Sequence, residues 1–226
     1  MKVIIFGATG MVGQGVLREC LRDETVREVL VVGRTKLGVT HPKLREITHP
    51  DVAELITRPG TEEELTGYDA CFYCLGVSSL GMSEEEYRRV TYDLTLTVAR
   101  ALSAWNPRLT FVYVSGQGTD STEQGRVMWA RVKGRTENHL LALPMDTYLF
   151  RPGFIQPLHG ITSRTRLYRA GYAALGFLYP LINRLAPHQV TTTERLGRAM
   201  ITVATTGAPR RILDNRQIND TATHSM

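Results

Sequence analysis

Three glycines spaced three apart, Gly7, Gly10 and Gly13, follow directly on the β-branched run Val3 to Phe6. The segment after them carries Met11, Val12, Val16, Leu17, Cys20 and Leu21 at helical spacing. Strand, glycine turn and helix in that order form a cradle for phosphate groups. The first glycine allows the tight turn, the second lets backbone approach a pyrophosphate, and the third lets helix pack on strand. The free N–H groups at the helix start attract the anion. Ala8, Thr9, Met11 and Val12 lie between the glycines and share the surface that would touch a dinucleotide. The plainer alternative is a glycine-rich turn that binds nothing.

A second charged feature bears on which dinucleotide fits. Selectivity for NAD(H) places an acidic residue after the second strand, to bind the ribose 2′-hydroxyl. Here the run Glu28 to Val32 ends in Gly33-Arg34-Thr35-Lys36. Arg34 offers a bidentate clamp for a 2′-phosphate and Lys36 a second positive charge, so NADP(H) is favoured while NAD(H) stays open. Asp51 and Val52 follow the weaker strand Leu44 to Thr48, where an adenine ring would lie; Asp51 could accept from its amino group or be a simple loop residue. Cys71 and Cys74 have the spacing of a metal pair, yet in a strand they point to opposite faces and read as core thiols. The histidines show no metal spacing, and no metal is expected.

These residues need a scaffold, and the pattern around them supplies one. Further strands are predicted over Tyr68 to Leu75, Thr110 to Val114 and Tyr148 to Arg151. Long helices are predicted from Ser83, an N-cap with Glu86 three residues on, to Leu102, and within Glu123 to Leu143. Unbroken apolar strands alternating with helices imply a parallel sheet covered on both faces. The fold class is therefore α/β, a Rossmann-type doubly wound parallel sheet. The 226 residues suit one domain, 1–226, with 155–226 forming a small substrate-side lid. Helix is predicted there over Thr193 to Thr205, followed by a short terminal run, Arg211-Ile-Leu213.

The net charge of +5 comes from scattered arginines with no aromatic-basic stripe, so nucleic acid is not an expected partner. The apolar stretch Ala170 to Ile182 is broken by Pro180 and is too short to span a bilayer. Arg164, Arg166, Arg169 and Arg184 flank it, which would suit an interfacial helix. A buried or subunit-contacting helix beside the substrate cleft is preferred to peripheral membrane contact. Three cysteines without a paired framework, and a strand beginning at once without a leader, point to a cytoplasmic protein.

The set Gly7-Ala-Thr-Gly10-Met-Val-Gly13, Gly33-Arg34 and Asp69-x-x-Phe72-x-Cys74-Leu-Gly76 resembles the atypical short-chain dehydrogenases/reductases. So do Tyr113-Val-Ser115-Gly, Ala130-Arg-Val-Lys133-Gly-x-x-Glu137 and Phe150-Arg-Pro-Gly-Phe154. The nearest subgroup is that of the small NAD(P)H-binding proteins similar to NmrA-like and Tat-interacting oxidoreductase-like proteins. The resemblance implies a serine with a Tyr-x-x-x-Lys pair, which lie on one helix face. The lysine would be Lys133 and the serine Ser115, but the tyrosine position holds Trp129. An indole N–H donates a hydrogen bond and cannot lose its proton at any useful pH. The helix asparagine of many members is replaced by Thr91, and Tyr92, Tyr168, Tyr172 and Tyr179 are substitute acids to consider. The resemblance further implies that Leu75, Gly76 and Val77 contact the adenosine and its ribose. It places Pro152, Gly153 and Ile155 against the nicotinamide carboxamide.

Two functions from different classes follow. One is an NADP(H)-dependent oxidoreductase reducing a small carbonyl or enone, with Lys133 on the ribose and Ser115 on the substrate. The other is a non-catalytic NADP(H) redox sensor acting through a regulatory protein partner. Nucleotide-sugar epimerisation is a weaker third, since it needs the missing tyrosine even more. A homodimer through the two long helices is the expectation the family lends.

Overall fold

A computed structural model of the chain describes residues 1–161 and 189–223. Its centre is a seven-stranded sheet, parallel throughout, in the order β3-β2-β1-β4-β5-β6-β9. The strands are β1 (Lys2–Phe6), β2 (Glu28–Gly33), β3 (Leu44–Thr48), β4 (Ala70–Tyr73), β5 (Thr110–Val114), β6 (Asp146–Arg151) and β9 (Ile212–Asp214). This is the Rossmann-type α/β architecture. The strand order reverses between β1 and β4, and ligands bind such sheets in the crevice outside the carboxyl ends at that point.

Side chains alternate between two cores, as the period of two requires. Val3, Ile5, Val29, Val31 and Phe72 face one side, Ile4, Phe6, Leu30, Val32, Cys71 and Tyr73 the other. Helices α1 (Met11–Arg22), α7 (Thr193–Thr206) and α8 (Asn215–Thr223) cover the first. Helices α2 (Val52–Thr57), α5 (Leu94–Trp105) and α6 (Met128–Leu141) cover the second. The short helix α3 (Thr61–Leu65) precedes β4. With both faces buried, every strand must be apolar on both sides, which is why these read as continuous runs. Cys71 and Cys74 pack into opposite cores and all three cysteines are free.

The helix predicted from Ser83 begins with the expected capping box between Ser83 and Glu86. It runs as α4 (Glu84–Arg88), a single π-turn (Arg89–Asp93) and α5, to Trp105 rather than Leu102. Asn106 ends it: its side-chain oxygen accepts from the amides of Gly67 and Tyr68 at 2.8 and 3.1 Å, and its amide nitrogen donates to the Leu65 carbonyl. Tyr68 is thereby held outside the ladder, so the predicted strand shortens to Ala70–Tyr73. Helix α6 begins only at Met128, because Asp120 gathers the amides of Thr122 and Gly125 into a turn.

The C-terminal residues depart more from expectation. A two-stranded parallel sheet joins β7 (Phe154–Gln156) to β8 (Val190–Thr192). Strand β9 then pairs with β6, while α7 packs on α1 so closely that a Cβ on Gly15 would fall 2.5 Å from the Thr193 side chain. The described part of 155–226 thus helps build the sheet and its core instead of lying over the strand ends as a lid. The apolar stretch Ala170 to Ile182, with Tyr168, Tyr172 and Tyr179, lies outside the described residues.

Candidate functional site

The glycine turn is tight for internal reasons. Gly7 sits at φ +80°, and a Cβ there would lie 2.6 Å from the Leu75 amide. A Cβ on Gly13 would lie 2.2 Å from the Gly7 carbonyl oxygen, so α1 can descend onto the turn only without one. Gly10 is the N-cap of α1, its own amide donates to the Gly7 carbonyl at 2.9 Å, and no side chain caps the helix. The first-turn amides of Met11, Val12 and Gly13 therefore await an acceptor, with the positive end of the helix dipole behind them. Ala8 is buried, and the Thr9 carbonyl accepts from Gln14 at 3.1 Å, pinning the turn to its helix.

Space opens beside this turn. Nothing lies within 4 Å of a Cβ built on Gly33 or Gly76, at the carboxyl ends of β2 and β4, and Val77 is exposed. A cleft of about 550 Å³ runs along α1 between Thr9, Gln14, Arg18 and the β2–β3 loop residues Leu37 and His41. Arg34 and Lys36 are exposed on that loop and pair with no acid among the described residues. One carboxylate does reach the loop: Glu46, from β3, accepts from the Leu37 amide at 2.9 Å. Asp51 is the N-cap of α2, taking the amides of Ala53 and Glu54 at 2.8 and 3.2 Å on one carboxylate oxygen; Val52 beside it is buried.

The second half of the site stands at the ends of β5 and β6. Lys133, half-buried on α6, donates to the Ser115 carbonyl at 2.6 Å. Burial pulls its ammonium down to about 8, against an opposing pull from Glu137 one helical turn on. Ser115 sits under this pair with its hydroxyl turned inward, donating to Glu137, with the Phe150 carbonyl 3.2 Å away. Glu137 has no exposed surface and is held by Arg151, whose Nε lies 3.1 Å from both carboxylate oxygens while Nη2 bonds Oε2 and Ser121. A hydroxyl has one hydrogen, so Ser115 faces any ligand as an acceptor. Trp129 lies one turn before Lys133, its ring edge stacked over Gly118.

The other candidate acids sit elsewhere. Tyr92 hydrogen-bonds His139 and lies under the Arg135 guanidinium at 5.1 Å, on a different face of α6 from Lys133 and Glu137. Thr91, within the π-turn, is buried, and its hydroxyl has no partner among the described residues. At the β6 end, the Pro152 carbonyl accepts from Gln117 and the Gly153 amide donates to Asn215 at 3.0 Å. A Cβ on Gly153 would fall 2.6 Å from the Gln189 carbonyl. Ile155 is buried in β7 opposite Thr191.

The structure thus groups the predicted residues into two clusters at the carboxyl ends of neighbouring strands. Gly7 to Gly13, Arg34, Lys36, Asp51, Val52 and Leu75 to Val77 surround β1, β2 and β4. Ser115, Trp129, Lys133, Pro152, Gly153 and Ile155 surround β5 and β6. The binding of Glu137 to Arg151, the cross-link of Gln117 to Gln189 at 3.0 Å and the role of Asn215 were not read from the sequence. Glu137 had a signal, an acid four residues after Lys133 on the inward face. Its partners come from distant parts of the chain and had none.

Among the described residues no helix is long and apolar enough to cross a membrane, and no group of His, Cys, Asp and Glu is arranged to hold a metal. No protein-family model matches the chain. FMP52-1 of Scheffersomyces stipitis, named as mitochondrial, is 28% identical over 158 residues, 69% of this chain and 67% of that protein. HTATIP2 of Rattus norvegicus is 27% identical over 155 residues, 68% of this chain and 62% of that protein. The match spans about two thirds of the length of each of these relatives. The mitochondrial name leaves the cytoplasmic expectation without support. Among solved structures, WbmF of Bordetella bronchiseptica in complex with NAD+ superposes with a TM-score of 0.66 at 18% identity, covering 99% of this chain and 77% of that one. An oxidoreductase of the short-chain dehydrogenase/reductase family from Burkholderia thailandensis does so with 0.66 at 14%, covering 96% and 92%. At these identities the structures speak for the fold, while the sequence relatives carry the subgroup resemblance. On sequence, the chain is similar to HTATIP2 and resembles the atypical short-chain dehydrogenases/reductases, and it has the Rossmann-type fold of the solved structures.

Proposed function

We propose that the chain binds a nicotinamide dinucleotide, NADP(H) in preference to NAD(H), and reduces a small carbonyl or enone. The observation that carries this is the uncapped start of α1 behind the Gly7 to Gly13 turn, with unpaired Arg34 and Lys36 at the end of the next strand. That WbmF holds NAD+ on the same fold supports the placing.

In this reading the amides of Met11, Val12 and Gly13 hold the pyrophosphate, and Gly10 leaves it room to approach. Arg34 and Lys36 take the 2′-phosphate. Asp51 and Val52 border the adenine, and Asp51 keeps one carboxylate oxygen for its amino group while the other caps α2. Leu75, Gly76 and Val77 wall the adenosine. Lys133 reaches the nicotinamide ribose, and backbone around Pro152, Gly153 and Ile155 meets the carboxamide. When bound, the dinucleotide supplies the hydride; the chain binds, orients and manages the proton. Ser115, with its hydrogen given to Glu137, contributes a lone pair toward the substrate rather than a donor.

The test is a titration with NADPH and then NADH, following quenching of tryptophan emission and energy transfer to the reduced nicotinamide, with Trp129 as reporter. NADPH should bind tighter by tenfold or more, about 1.4 kcal/mol. Binding of neither dinucleotide overturns the proposal. Lys133→Ala should weaken binding as well; unchanged affinity removes Lys133 from the ribose.

Trp129 in place of a phenol favours one second reading, a non-catalytic NADP(H) sensor acting through a protein partner. Nucleotide-sugar epimerisation ranks behind both for want of the same phenol. A cytoplasmic setting and a homodimer complete the proposal.

A further inference from the structure

We propose that Lys133 is itself the proton-exchanging group of this site, its ammonium taking over from the phenol that Trp129 replaces. The inference rests on the dinucleotide-binding reading and deepens it. Its ground is the geometry of Nζ and of every neighbour that might compete.

The ammonium spends one hydrogen on the Ser115 carbonyl, at 2.6 Å, and keeps two for a ligand. Gly116 stands beside it: a Cβ built there would meet only Nζ, at 3.9 Å, so no side chain from this residue lies against the amine. The charged and titratable neighbours are few. From α6 there is Glu137, and Arg151 at the end of β6 neutralises it. From β5 there is Tyr113, buried, with its phenol pushed well above its ordinary range by that burial. Ser115 has given its hydrogen to Glu137. Trp129 has none to release, and Tyr92 is tied to His139 on another face of α6. Among the described residues, Lys133 alone at this site both keeps hydrogens without a partner and can change its protonation near neutrality. Burial brings it to about 8, where a proton donor is also readily restored.

The proton balance is simple. As the ligand's carbonyl carbon gains a hydride from the reduced dinucleotide, an N–H bond of Lys133 breaks and an O–H bond forms on the carbonyl oxygen. The neutral amine then takes a proton from water. In the oxidative direction the amine accepts the alcohol proton.

The experiment is calorimetric titration of the full chain with NADP+ and NADPH in pairs of buffers of different ionisation heat, at steps from about pH 7 to 10. The natural protein should exchange protons on binding, most strongly near pH 8. Lys133→Arg, which keeps the charge and donors but does not titrate, should bind within about tenfold, a 1.4 kcal/mol window, and exchange none near that pH. Exchange that persists in Lys133→Arg, or that vanishes in the triple variant Tyr168→Phe, Tyr172→Phe, Tyr179→Phe, overturns the proposal. Binding without proton exchange in the natural protein overturns it too, and leaves the dinucleotide reading standing. Absence of binding overturns both. Should the variants fail to fold, acetylation of the natural protein at graded pH decides. A midpoint near 8 for Lys133 supports the proposal, and one at the ordinary lysine value of 10.5 overturns it.

Discussion

The Ser115 hydroxyl donates to Glu137, and Glu137 is closed on its other side by the fork of Arg151. The carboxylate is fully buried, so its charge is tolerable only while that fork and the hydroxyl hold it. Strand β5, helix α6 and strand β6 are thereby tied through one side chain, directly beneath the site.

Removing the guanidinium should expose the cost of that arrangement. Arg151→Met leaves a buried charge unpaired, a loss of about 3–5 kcal/mol. Urea unfolding of the variant against the natural protein measures it. A change below about 1 kcal/mol, the range of surface pairs, would mean the network relaxes or hydrates and does not brace the site.

Gly134 makes a second rigid contact. A Cβ there would fall 1.7 Å from the Asp120 carbonyl oxygen and 2.4 Å from its carbon, both main chain. Glycine to alanine within a helix ordinarily gains about 1 kcal/mol. Here the sign should reverse, because the loop after Ser115 must move bodily, an overpacking penalty of about 1–3 kcal/mol. Gly134→Ala should be less stable by thermal unfolding; a stabilised variant refutes the contact.

Much of this was legible because parallel strands announce themselves. Val3 to Phe6, Glu28 to Val32 and Thr110 to Val114 are apolar on both faces, and in the sheet β1 pairs with β2 and β4, and β5 with β4 and β6. The glycine turn was legible because its spacing reflects a local clash: a Cβ on Gly13 would meet the Gly7 carbonyl six residues back. What could not be read depends on distant partners. Asn106 shortens β4 by holding Gly67 and Tyr68, and Arg151 meets Glu137 across 14 residues of chain. Strands β7 and β8 are three residues each, too short for periodicity to show, and β9 gains its place only through pairing with β6. The packing of α7 on α1 has the same origin: its helical pattern over Thr193 to Thr205 was visible, but not which surface it would meet, and α8 was not read from the sequence.

Lys133 gives a pH signature in stability. Its folded value, about 8, lies below the ordinary 10.5, so the unfolded chain binds more protons between those limits. Stability from this group therefore rises as pH climbs from about 8 toward 10.5 and is at its lowest below 8. The buried thiols of Cys20, Cys71 and Cys74 shift upward and oppose it in the same range, so the comparison must be with Lys133→Met. The advantage of the Met variant over the natural protein in denaturant midpoint should shrink from pH 7 to pH 10. A constant difference contradicts the depressed lysine.

Arg34 should set the choice of dinucleotide. The loop is anchored separately by Glu46 at Leu37, so Arg34→Glu changes charge without freeing the backbone. NADPH should lose tenfold or more, at least about 1.4 kcal/mol, through lost pairing and new repulsion, while NADH changes little. An equal loss for both would place Arg34 away from the 2′-phosphate.

Trp129→Tyr separates the two functional readings. The ring it replaces packs over Gly118, which sits at φ +86°, and a tyrosine is smaller, so the change restores a phenol one turn before Lys133 without crowding the loop. Lys133 would then stabilise the phenolate, and acid–base assistance of this kind is worth about 10²–10⁴-fold. A panel of small aldehydes, ketones and enones with NADPH is assayed on both proteins. Reduction that appears only in the variant marks a binding protein whose proton donor has been lost, and supports the sensor. Reduction already substantial in the natural protein rules the sensor out, and shows that Trp129 is compatible with turnover.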